Sequence, residues 1–76
     1  MKVYVVIAKM DGKIENVFVH KSESKAVKQQ LYIAETMVEV IKDESSLIEN
    51  PHNKRKVIDL RLKNSSVEVR TCYVEK

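Results

Sequence analysis

Glycine occurs once in these 76 residues, at Gly12, and that count alone excludes several chemistries. A phosphate-cradling Walker A loop needs two glycines ahead of its Lys, and a dinucleotide fold needs GxGxxG. The GXXG loop with which KH domains clamp RNA is excluded in the same way, and no RNP1-type aromatic run is present. Cysteine also occurs once, at Cys72. No internal disulfide can form, which fits a reducing compartment. The only other soft ligands, His20 and His52, do not stand at ligand spacing with Cys72 or with each other, so no metal site and no cofactor are expected. A Cys–His nucleophilic pair would need an activated thiolate, and no helix N-terminus is expected beside Cys72 to lower its pKa. No catalytic residue is assigned, and the chain reads as a non-enzyme. No apolar run reaches 18 residues, and Val3 to Ala8 is too short for a signal peptide core. A soluble, cytoplasmic protein with no membrane partner is the expectation.

What is present suits a small globular fold. The chain is 43% hydrophobic and 33% charged, which sets it apart from disordered sequences. It reads as a single domain spanning residues 1–76, and a chain this short buries only about 60% of its unfolded surface. The net charge of +3 is mild and compatible with either an acidic partner or nucleic acid.

Ser22 to Asp43 is the most strongly periodic stretch. On a helical wheel centred on Ala34, the side chains of Val27, Leu31, Val38 and Ile41 fall within about 60° and form a seam. Ser22 is placed to cap the first turn, and Glu23 suits the helix dipole. Ala26, Ile33, Met37 and Val40 widen the seam on one side, to roughly 180° in all, more than the ~100° that one core contact needs. Ile33, Met37 and Val40, with the outward Tyr32, are therefore the candidate protein-binding residues.

Val3 to Ala8 reads as a strand covered on both faces. Asp11-Gly12 is the strongest hairpin signal in the chain, and Ile14 to His20 is the return strand. A two-residue loop puts Val5 opposite Phe18, and a three-residue loop puts it opposite Val17; both stay open. Glu44 to Arg55 reads as a connection, with Leu47-Ile48 as its apolar anchor, a short helical turn near Ser46 to Glu49, and Asn50-Pro51 as a stop. Val57 to Lys63 and Val67 to Tyr73 both alternate. Joined at Asn64-Ser65 they would pair Arg61 with Glu68 and Asp59 with Arg70. The expected fold is α+β, ββαββ: one four-stranded antiparallel sheet with a single long helix packed on one face.

The run Lys54-Arg55-Lys56, with His52 just before it, is the sharpest charge feature, and it is the candidate phosphate contact of an alternative nucleic-acid-binding reading. Lysines at that position also serve simply to guard a strand edge. The opening, from Lys2-Val3-Tyr4-Val5-Val6 through Asp11-Gly12 to Phe18 and Ser22-Glu23-Ser24-Lys25-Ala26, resembles the ββα start of short phage and prophage proteins. That resemblance implies a protein-binding inhibitor of a host or defence protein, anti-CRISPR proteins being one such class, acting in the host cytoplasm. It carries over no functional residue. Because one helix covers only one sheet face, self-association into a homodimer is a further expectation.

Overall fold

In the computed structural model, which describes residues 1–75, the chain runs β1 (Lys2–Met10), β2 (Lys13–His20), α1 (Glu23–Glu44), a 3-10 turn (Ser45–Leu47), α2 (Pro51–Lys63) and β3 (Ser66–Tyr73). The strands form one antiparallel sheet in the order β2-β1-β3. The α+β class stands, but the four-stranded ββαββ arrangement with a single helix is overturned: the described residues form three strands and two helices. The expected strand Val57 to Lys63 is the C-terminal half of α2. Asn50-Pro51 starts this helix instead of stopping one. The Asn50 Oδ1 accepts from the His52 and Asn53 amides at 2.9 and 3.2 Å, and Pro51 takes the first position, where a missing N–H costs nothing.

Asp11 and Gly12 both adopt left-handed backbone, φ 53° and 82°, and close a two-residue turn in which Met10 pairs with Lys13. One residue later the register shifts, because Lys9 pairs with Ile14 but Ala8 with Asn16, leaving Glu15 as a bulge. Val5 consequently faces Val19, which neither expected register allowed. The bulge has a structural consequence. It returns Phe18 to the face of Val6, beneath α1, and turns Val17 and Val19 to the other face.

β3 pairs with β1, Val67 opposite Ala8 and Val69 opposite Val6. Glu68 and Arg70 stand opposite Ile7 and Val5, so the expected pairs with Arg61 and Asp59 do not form. Arg70 bonds Glu68 on its own strand at 3.2 Å instead.

Ser22 caps α1 as its position suggested, its Oγ accepting from the Lys25 amide at 3.4 Å. The buried side of α1 is turned relative to the expected seam. Ala26, Met37 and Ile41 are buried, centring the arc about 60° from Ala34, while Leu31 is left 60% exposed. With Val3, Val6 and Ala8 these residues form the core. Gln30 ties the helix to the sheet, its Nε2 donating to the Val67 carbonyl at 2.9 Å.

The molecule is long and thin, 55 × 19 × 13 Å. Its radius of gyration is 15.2 Å, against about 11 Å for a compact chain of this length. Helix α1 is about 33 Å long and α2 about 20 Å, so α2 accounts for the excess by reaching beyond the end of the sheet. It packs on the end of α1 and on the 3-10 turn, is tied to the β1–β2 hairpin tip through Arg61, and buries no residue. Leu47 is 88% exposed and covers nothing. No helix among the described residues is long and apolar enough to cross a membrane.

Candidate functional site

Helix α1 lies over β1 and β3 more than over β2, and the inner face of β2 is left open. The result is a groove of about 420 Å³ whose walls include Met10, Phe18, Tyr32, Ile33, Met37 and Val40. Ile33, Met37 and Val40 recur at helical spacing and share one flank, so the structure brings all four candidate protein-binding residues to one place. Met37 closes the floor as a buried core residue, Ile33 and Val40 are half-buried walls, and Tyr32 stands 70% exposed at the rim. Phe18 and Met10 escaped sequence reasoning as site residues. Met10 faces inward by alternation with Val6 and Ala8 along β1, whereas the inward direction of Phe18 depends on the bulge at Glu15, for which the sequence carries no signal.

The groove has few free polar groups. Gln29 on its wall is engaged with the His20 ring, and the Thr36 hydroxyl donates back to the Tyr32 carbonyl at 2.9 Å. What remains is an apolar surface with Glu15 and Asn16 at one end, suited to seating apolar side chains. Cys72 and His20 lie on the outer strands β3 and β2, on opposite faces of the sheet, since Cys72 pairs with Val3 and His20 with Tyr4. They cannot act on one substrate atom. Among the described residues no three His, Cys, Asp or Glu side chains gather as a metal site.

The expected 52–56 loop is helical. His52, Lys54, Arg55 and Lys56 occupy the first two turns of α2, where successive side chains diverge by about 100°. The three charges in a row therefore point three ways instead of converging on one phosphate. Charge is nevertheless concentrated on this helix. It carries Lys54, Arg55, Lys56, Arg61 and Lys63 against Asp59, a formal +4, so with +3 over the whole chain the other residues sum to −1.

Arg61 is the structural anchor of α2. Its Nε and Nη2 donate to both oxygens of Asp11 at 3.1 and 2.9 Å, and its Nη1 donates to Glu44 at 2.6 Å. One guanidinium thus joins the hairpin tip, the end of α1 and the last turn of α2. Gly12 donates to the Asn64 carbonyl at 2.8 Å and completes the junction. The Arg61 hydrogen bond holds the Asp11 carboxyl below the ordinary carboxylate range, and Asp11 and then Glu44 raise the guanidinium pKa further. The chain matches no known protein family, no curated protein and no solved structure.

Proposed function

We propose that this chain is a non-enzymatic protein-binding module, an inhibitor of the phage type that masks a host or defence protein by seating its apolar side chains between α1 and β2. The observation that carries this reading is the groove itself. Phe18, Ile33, Met37 and Val40 line an open apolar hollow, with a largely exposed tyrosine at its rim, and tyrosine is enriched among the anchors of protein interfaces. A monomer seldom leaves such a surface in water without use for it. The nucleic-acid reading is weaker, because its basic run is spread around a helix.

Affinity capture from bacterial lysate, comparing the native chain with the Tyr32→Ala and Val40→Glu variants, tests the proposal. A protein partner should stay bound in high salt and be lost with both variants while circular dichroism stays unchanged. Tyr32→Ala guards the test, because that exposed side chain contributes little to folding. Capture that is indifferent to both substitutions would overturn the groove as the site. Capture of nucleic acid, with a log–log salt slope of about −0.9 per phosphate contact, would overturn the function.

A further inference from the structure

The overhanging helix α2 poses a separate problem. A helix of 13 residues is marginal in water on its own, because helices shorter than ~12–15 residues need tertiary packing to persist. Yet α2 buries no residue, and Leu60 is 61% exposed. Something outside this chain's own fold is suited to cover it.

Charge indicates what. With Glu44 and Arg61 spent on each other within one chain, α1 from Glu35 to Asp43 carries Glu35, Glu39 and Asp43 against Lys42, a formal −2, opposite a formal +3 left on α2 by Lys54, Arg55, Lys56 and Lys63 against Asp59. The same half of α1 bears a shallow hollow in which Ala34 and Val38 are bordered by Glu35 and Glu39, with Lys42 at its end. On α2, Val57 and Leu60 share a stripe bordered by Lys56, with Lys63 on the next turn. The two surfaces are complementary in polarity and in charge: apolar centre to apolar centre, lysines to glutamates.

We propose that α2 of one copy docks on the acidic half of α1 of a second copy, and that the protein is a two-fold dimer joined by reciprocal arms. The acidic half of α1 lies at the end of the sheet from which α2 projects, as the Arg61–Glu44 contact fixes. A single two-fold axis near that end therefore sets both arms on both acidic surfaces at once, which is the closed, self-complementary arrangement such an axis requires. The α1–β2 groove opens on the other flank of α1 and stays free in this dimer.

Sedimentation equilibrium at micromolar concentration tests the proposal on four samples. The native chain should have the mass of two chains, falling toward one as salt rises, because the border of the contact is ionic. The variants Lys56→Glu/Lys63→Glu and Glu35→Lys/Glu39→Lys should each have the mass of one chain, with native circular dichroism, because each then opposes like charges. Mixed together, the two variants should regain the two-chain mass, since the acidic arm of one meets the basic helix of the other. That rescue separates a true contact from misfolding. A one-chain mass for the native protein, charge-reversed variants that keep the two-chain mass, or a mixture that fails to reassociate would each overturn the proposal. So would binding of a DNA duplex by α2 of a one-chain native protein, abolished by Lys56→Glu/Lys63→Glu, which would make α2 a nucleic-acid contact.

Discussion

The two helices of this molecule are built on opposite terms. Helix α1 is capped by Ser22 and buries Ala26, Met37 and Ile41 against the sheet. Helix α2 is better capped, with two amide bonds to Asn50 and proline in its first position, yet it buries nothing. Local signals are thus strong in both, and what separates them is tertiary packing. The difference shows where stability resides: burial of apolar area holds α1 in place, whereas α2 depends on its cap and on one guanidinium.

The sharpest way to break this contrast is to cut a core side chain and an arm side chain in parallel. Ile41→Ala removes a fully buried group and is expected to cost about 2–5 kcal/mol, enough to unfold a large share of a chain this small. Leu60→Ala, measured at a dilution where single chains prevail, should fall within about 0.5 kcal/mol. Urea unfolding of both variants measures the difference, and equal losses would erase the distinction between core and arm. Next in size is the hairpin tip on which the arm is anchored. Gly12 sits at φ 82° in open space, with no neighbouring atom within 4 Å of where a Cβ would stand. Gly12→Ala therefore meets backbone strain but no clash, and a loss of about 1–2 kcal/mol is expected in the same urea measurement.

Smaller effects should be confined to the arm. Arg61→Ala breaks the ties to Asp11 and Glu44 together, and amide exchange in α2 should quicken while that in α1 is unchanged. Acid should act in the same direction. The Asp11 carboxyl has a depressed pKa in the folded state, so its contribution is present above the unfolded carboxylate pKa near 4 and is lost as pH falls through the folded value. The effect is small because the pair is partly exposed, and an NMR titration of Asp11 should show a midpoint below that of Arg61→Ala. Smallest of all is Ser45, buried at the end of α1 with its hydroxyl unpartnered. Ser45→Ala should leave the melting temperature unchanged or slightly raised, since no hydrogen bond is lost.

The same contrast explains which parts of the structure were legible in the sequence. Helix α1 was legible because a buried face writes a helical period into its apolar residues, and Ser22 marks its start. The centre of that face lies about 60° from where the wheel puts it, because Leu31 and Val27 look like core residues on a wheel but are exposed in the fold. Helix α2 was not legible. With no face buried within its own chain, its apolar residues form only the short Val57–Leu60 stripe, and Ile58, Leu60 and Leu62 alternate by chance as a strand would. The groove was half legible: Tyr32, Ile33, Met37 and Val40 stood out as surplus on α1, but the wall opposite depends on a bulge with no glycine or proline to announce it.

The division between packed helix and arm is open to hydrogen–deuterium exchange, in solution dilute enough for sedimentation to find single chains. Amides from Lys54 to Leu60 should exchange at least about tenfold faster than those from Met37 to Ile41, as a locally opening segment does. Equal protection of the two helices in single chains would contradict the division, because α2 would then belong to the same cooperative unit as the core.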